Sequence, residues 1–375
     1  MPPMSPVHCD VHPTRPGLPV PPAPPARPAP PVRPVQPRRA FSLVELMVVV
    51  AIIAVLVGLL LVALAKVRVS ANVSKTQNTM RDFSAACDQF QQEYGRYPGV
   101  VPETALAAFG GGPTPISTTE NAILDVMGGC RVLGPGDNAT DTPETWSDFN
   151  AYIAAGATSV PFGATGWRLA IDPSRIGEGP KVDGKSSGAF FTAGSGVLGV
   201  TTGQVAAGLN PVSVPDLLDA WGQPIIYLRQ IRSRGPLVSD VVADNSQFLT
   251  AGMASYLNST GLGELNSNQV YGGSNPGGSV LTLSQPNALD NFGYLLRHAG
   301  LGSYALASFR QTSTARGAYM LLSAGPDGVF MSATDGPGSP GTPITDLPSQ
   351  MDDPNNDDPT RLIEEYDDIR VYGGG

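Results

Sequence analysis

A single carboxylate, Glu45, stands at the head of the most apolar stretch of the chain. Phe41-Ser42-Leu43-Val44-Glu45 is followed by 20 consecutive residues, Leu46 to Ala65, with no charge and no strong polar group. A charged side chain near hydrocarbon costs about 2.5–3.5 kcal/mol on insertion scales, less toward the interface. Two arrangements relieve that cost. Glu45 can reach lipid headgroups, or it can pair with a positive group inside the apolar layer. A free α-amine at Phe41, released by a cut after Ala40, is such a group. The same chain's amine is poorly placed in a straight helix, so a neighbouring copy displaced along an assembly axis fits better.

A second concentration of chemistry lies near the C-terminus. Asp346, Asp352, Asp353, Asp357, Asp358, Glu364, Glu365, Asp367 and Asp368 are opposed only by Arg361. Hard oxygens at this density suit Ca²⁺, which takes six to eight oxygen ligands, but the spacing of an EF-hand loop is absent. A solvated acidic loop accounts for the residues equally well. Other patterns carry less. Gly194-Ser195-Gly196-Val197-Leu198-Gly199 matches a dinucleotide fingerprint, yet no strand–helix context surrounds it. The histidines are His8, His12 and His298, too scattered for a triad or a multi-histidine zinc site. Cys87 falls on an apolar helix stripe and reads as a buried thiol; a Cys87–Cys130 disulfide is the other reading.

The elements that position these residues begin with a long helix. Leu46–Ala65 spans the roughly 30 Å of a bilayer core at about 1.5 Å per residue. Beyond Lys66 the pattern turns amphipathic, with Val69, Val73, Met80, Phe83, Cys87, Phe90 and Tyr94 on one stripe. Gly95 and Pro98 end it. The spacing predicts one helix over 41–94, apolar all round at first and then one-sided, so a globular domain must pack on its second half. Further along, Ser117-x-x-Glu120 predicts a capped helix, and Thr142-Pro143 predicts a short helix closed by Gly156. Strands are predicted at 225–231, 318–322 and 369–372, and Gly/Ser-rich loops near 192–209 and 259–279.

Composition narrows the classes. Among 375 residues there are 44 Gly and 37 Pro, which disfavours a helical bundle, and 41% hydrophobic residues, which disfavours general disorder. Three cysteines exclude a disulfide scaffold. A net charge of −9 argues against nucleic acid as a partner. Residues 1–40 hold five arginines, one acid and 15 of the prolines, so this segment is +4 and the remainder −13. Such a leader is extended and builds no core. Arg38 and Arg39 before the apolar run leave the N-terminus in the cytoplasm and carry the rest across the membrane.

The run Arg38-Arg39-Ala40-Phe41-Ser42-Leu43-Val44-Glu45-Leu46-Met47-Val48 resembles the class III signal of type IV pilins and type II secretion pseudopilins, with Ala40 where that family usually has Gly. The resemblance implies that a prepilin peptidase cuts between Ala40 and Phe41 and methylates the new terminus. It also implies that Glu45 pairs with the adjacent subunit's amine in a filament. Three further blocks resemble the major pseudopilin of type II secretion: Gln92 to Gly99 at the helix end, Leu218-Asp219-Ala220-Trp221-Gly222-Gln223-Pro224-Ile225-Ile226-Tyr227, and Ser323 to Gly328 with Asp367-Asp368-Ile369. From these the resemblance implies Ca²⁺ held by Asp327, Asp367 and Asp368. Segments 100–215 and 230–317 look like insertions.

The expected architecture is α+β and pilin-like: a leader over 1–40, a transmembrane half-helix over 41–66, an amphipathic half over 67–95, and a globular domain over 96–375 on a small antiparallel sheet. The expected function is a structural filament subunit, not an enzyme. It would sit in a bacterial inner membrane, with its C-terminal domain periplasmic or extracellular. Its partners would be lipid before assembly, copies of itself and other pseudopilins, the prepilin peptidase, an assembly platform and an ATPase. The alternative is a single-pass anchor tethering a binding or enzymatic domain.

Overall fold

The computed structural model describes residues 42–107, 116–133, 158–162, 167–182, 185–200, 214–239, 242–250, 277–282, 287–298, 314–336, 338–339, 342–343, 347 and 361–374. The helix expected after Thr142, Ala40, Phe41 and the acids from Asp346 to Asp358 lie outside the described residues. The main elements are α1 (Leu43–Tyr94), α2 (Thr118–Met127), β1 (Cys130–Leu133), β2 (Thr158–Phe162), β3 (Trp167–Ile171), β4 (Ile226–Arg229), α3 (Ala288–Leu296), β5 (Tyr319–Ser323) and β6 (Ile369–Gly373). The chain forms two units, Met1–Leu60 and Leu61–Gly375.

In the first unit the described residues are the opening turns of α1. Their large apolar side chains all face outward, from Leu43 at 73% exposure to Val57 at 47%. By length and composition α1 can cross a membrane.

In the second unit α1 becomes one-sided. Thr76, Met80, Phe83, Cys87 and Phe90 are buried at steps of four and three. The buried face starts later than the apolar pattern suggests, since Val69 is 43% exposed and Val73 is only partly buried. Gly95 closes the helix with φ 71°, a left-handed conformation that costs glycine nothing.

The buried face of α1 packs on a three-stranded antiparallel sheet in which β5 lies between β4 and β6. Leu321 lies opposite both Tyr227 and Val371. Side chains alternate across the sheet. Tyr227, Tyr319, Leu321 and Ile369 join the α1 side, and Ile226, Leu228, Met320 and Leu322 join the other. The second face is covered by α3, whose Ala288, Leu289, Phe292, Leu295 and Leu296 are buried. The sheet is therefore filled on both faces. The segment read as an insertion over 230–317 supplies one of those layers. A second antiparallel sheet, with β3 between β1 and β2, arises inside the other such segment.

Helix α2 is bound to the sheet through polar groups. The Thr119 hydroxyl donates to the Ile225 carbonyl at 2.7 Å and accepts from the Tyr227 amide at 2.9 Å. Asn121 donates to and accepts from the Val101 backbone, both at 2.8 Å. The connection from α1 is held by ion pairs. Arg96 pairs with Asp125, which also accepts the Gly99 amide at 2.7 Å. Arg229 pairs with Glu103 and donates to the Tyr97 carbonyl at 2.7 Å. Gly99 is required here, because a Cβ would fall 2.5 Å from the Arg229 guanidinium carbon.

The Arg229–Glu103 pair is deeply buried, with side chains 12% and 4% exposed. Removing one partner strands the other charge, which costs about 3–5 kcal/mol. Arg229→Ala is expected to lower stability by that amount in denaturant unfolding of the detergent-solubilised chain. Arg229→Ala combined with Glu103→Ala should be less destabilised than the sum of the single changes.

Candidate functional sites: the head of the apolar helix and an acidic corner

At the head of α1, Ser42 and Glu45 cap each other. The Ser42 amide donates to Glu45 Oε2 at 2.9 Å, its hydroxyl donates to the same oxygen at 3.0 Å, and the Glu45 amide donates to Ser42 Oγ at 3.2 Å. This is a capping box, with a serine before the helix and a glutamate three residues on. Glu45 thus has a partner within its own chain, and it sits among exposed apolar side chains.

The second site is a corner where three separated blocks meet. Asp219 organises it. Its Oδ1 accepts the amides of Trp221 and Gln223, each at 2.9 Å, and its Oδ2 accepts the Ser323 hydroxyl at 2.8 Å. Burial pushes the Asp219 carboxyl up, and these donors hold against it. The same turn docks on α1, since the Ala220 amide donates to Thr76 Oγ1 at 3.0 Å. Beyond Ser323 the chain reverses through Gly325 and Gly328, at φ 69° and 74°. A Cβ at Gly325 would lie 2.7 Å from the Asp367 carbonyl oxygen, so the two loops are in close contact.

There Asp327, Asp335 and Asp367 bring one carboxylate oxygen each within 4.8 Å of one another. Burial, then repulsion from Asp367 and Asp335, pushes Asp327 up to about 7. Burial and the neighbouring Asp335 push Asp367 up to about 6. Asp368 is not part of this group. It is buried, and both its oxygens lie 3.0 Å from the Met331 amide, at a residue with φ 48°. The resemblance to the pseudopilin loop grouped Asp368 with Asp367. Successive side chains entering a strand point to opposite sides, so only one of the two can face the loop. Asp335 was missed; its signal was a further acid eight positions after Asp327, in the same Gly-rich loop.

Residues 36–61 match the family model described as the prokaryotic N-terminal methylation motif. The chain carries a pilin-type class III signal. It is pilin-like and of the kind processed by prepilin peptidase, and its one long apolar helix fits membrane anchoring. No curated protein and no solved structure matches the chain.

Within this pilin-like protein the remaining sequence candidates have ordinary places. Cys87 and Cys130 are both free thiols, and burial pushes each of them up. Gly194 to Gly199 forms a turn running into the short strand Leu198–Gly199, which pairs with Asp216–Leu217.

The acidic corner is a site of repulsion unless protons or a cation relieve it. Three carboxylates supply hard-oxygen donors of the kind Ca²⁺ takes. In excess chelator near pH 8, Asp335→Asn is expected to raise the unfolding temperature above that of wild type, because a neutral isostere removes the repulsion. A lower temperature would mean that Asp335 is held by attractive contacts instead.

Proposed function

We propose that this chain is a pseudopilin-like structural subunit, not an enzyme, of a type II secretion or type IV pilus-like filament. The carrying observation is the methylation motif over 36–61, with Glu45 as the lone carboxylate in its apolar run. The cut falls between Ala40 and Phe41. The mature chain waits in the inner membrane with residues beyond Lys66 outside the cytoplasm. It is then drawn into a filament in which its apolar half-helix packs on other copies. Burial in lipid is exchanged for burial against helices of the same kind. Glu45 leaves its capping partner for the N-terminal amine of a neighbour, which sets the register. The processing enzyme, a polytopic platform and an ATPase are the external partners.

The type II secretion branch is favoured by the way the resembling blocks converge. The Leu218–Tyr227 turn, the Ser323–Gly328 loop and Asp367 share the Asp219–Ser323 hydrogen bond and the Gly325–Asp367 contact. In this reading Asp327, Asp335 and Asp367 hold a Ca²⁺ ion, which would bind the two loops together by neutralising their charge. Adding calcium should then raise the unfolding temperature of wild type by several degrees. Asp327→Asn, Asp335→Asn or Asp367→Asn should each abolish that rise. An equal rise in all three variants, or none in wild type, would remove calcium from the account.

One observation favours the alternative of a plain membrane anchor: the capping box gives Glu45 work that needs no filament. Glu45→Gln separates the two readings. Glutamine keeps the cap but has no charge to offer an amine. Retained membrane insertion with loss of filament incorporation supports the subunit reading, and unchanged assembly supports the anchor. The primary test is the intact N-terminal mass after co-expression with the cognate peptidase. A chain beginning at N-methyl-Phe41 is expected, and a chain still beginning at Met1 would overturn the proposal.

A further inference from the structure

Two buried carboxyl groups meet at the cap of α2. Ser117 Oγ accepts the Glu120 amide at 3.1 Å, and the Ser117 amide donates to Glu120 Oε2 at 2.6 Å. The one proton of the Ser117 hydroxyl goes to Asp216 Oδ1 at 3.2 Å. The second oxygen of Asp216 is buried and has no hydrogen-bond partner. Asp216 and Glu120 are both fully buried.

We infer that Asp216 is a proton-operated latch: its neutral form lets the strand Asp216–Leu217 lie buried against the N-terminus of α2, and its ionisation beside Glu120, which leaves a charged oxygen in the core without a donor, loosens that joint even though the Ser117 hydroxyl still donates to Oδ1. The geometry decides which acid keeps the proton. Glu120 accepts a backbone amide and lies in the first turn of α2, where the helix dipole favours negative charge. Asp216 has one neutral hydroxyl and an orphaned oxygen, so its charged form is the costlier.

Among the described residues no cation pairs with Asp216. On α2 the other acid is Asp125, occupied by Arg96 and the Gly99 amide. In the short helix Glu103–Ala107, whose Leu106 shares a core with Val214, the acid is Glu103, occupied by Arg229. The paired strand Leu198–Gly199 carries no charge. The face of α1 that shares a core with Leu217 is apolar, through Met80 and Phe83. Burial pushes Asp216 up to about 7, opposed by the Ser117 hydroxyl.

The strand leads straight into the turn that holds Thr76 of α1 through Ala220. Opening the latch therefore weakens one of the polar contacts between the body and its helix. The sign follows from linkage. The folded state binds the Asp216 proton more tightly than the unfolded chain, so stability falls as pH rises from about 4 toward 7, and the penalty is fully present above that.

The test is thermal unfolding of the detergent-solubilised full-length chain in excess chelator, from about pH 5 to about pH 9. Wild type is compared with Asp216→Asn and Glu120→Gln. Asp216→Asn is expected to remove part of the wild-type decline, and the difference between the two curves should grow with pH and level off near 7. Glu120→Gln keeps the cap and removes its charge, so the levelling-off should move to lower pH. Infrared difference spectra between pH 6 and pH 8 should show a loss of carboxylic-acid stretch in wild type that is smaller in Asp216→Asn, Asp327 accounting for the remainder. Curves for wild type and Asp216→Asn that run parallel would overturn the inference. If Asp216→Asn does not fold, a wild-type infrared difference that Glu120→Gln leaves unmoved would overturn it.

Discussion

The rest of the body depends on the burial of β5 on both faces. All five of its residues are buried, and it is the middle strand of its sheet. A strand in that position needs a cover on each side, because alternate side chains point to opposite faces. Tyr319 and Leu321 need α1; Met320 and Leu322 need α3. The Tyr319 hydroxyl shows how closely the first cover is fitted. It lies 2.7 Å from Ser84 Oγ and 3.1 Å from the Asp88 carboxylate, so a polar tip in an apolar layer is satisfied by the helix itself. Either cover without the other would leave half of the sheet in water.

The same helix meets opposite demands along its length. Its second half is anchored by aromatic packing, with the rings of Phe83 and Phe191 edge to face at 5.3 Å and those of Phe90 and Phe190 at 5.5 Å. In the first unit no such partner exists among the described residues, and every large apolar side chain there is exposed. A helix apolar on all sides is stable only where its whole circumference is covered, by lipid or by other helices. A filament and a bilayer satisfy that condition alike. Glu45 is the exception in this stretch: hydrocarbon penalises its charge, and the Ser42 amide and hydroxyl offset part of that cost.

How much was legible in the sequence follows from where the information sits. The long helix, the Ser117 cap and all three strands of the main sheet were readable because each has a local signature. These signatures were periodicity over many turns, a capping pair three residues apart, or a short β-branched run after a turn. Helix α3 was missed although Ala288, Leu289, Phe292, Leu295 and Leu296 follow helical spacing. It is only nine residues long, and no side-chain cap marks its start. Strands β1 to β3 were missed for a different reason. β1 pairs with β3 across a chain separation that no local pattern reports, whereas β2 and β3 are neighbours in the chain, with Phe162 opposite Trp167, and the Gly163 and Gly166 between them were an unread turn signal. The acidic corner was half legible. The acids themselves were visible, but which of them converge depends on the reversal at Gly325 and on Asp368 turning inward to the Met331 amide.

Asp219 ties these levels together, because its carboxylate has no freedom left. Three donors from two strand ends fix both oxygens, and the turn they shape is itself held to Thr76. The Trp221-Gly222-Gln223-Pro224 stretch is thus a structural joint more than a surface feature. It fixes where β4 begins relative to α1, and through Ser323 it fixes where the Asp327 loop leaves β5. Hydrogen bonds at fixed positions set this register, and the close-packed aromatic layer around Phe83 and Phe90 holds it.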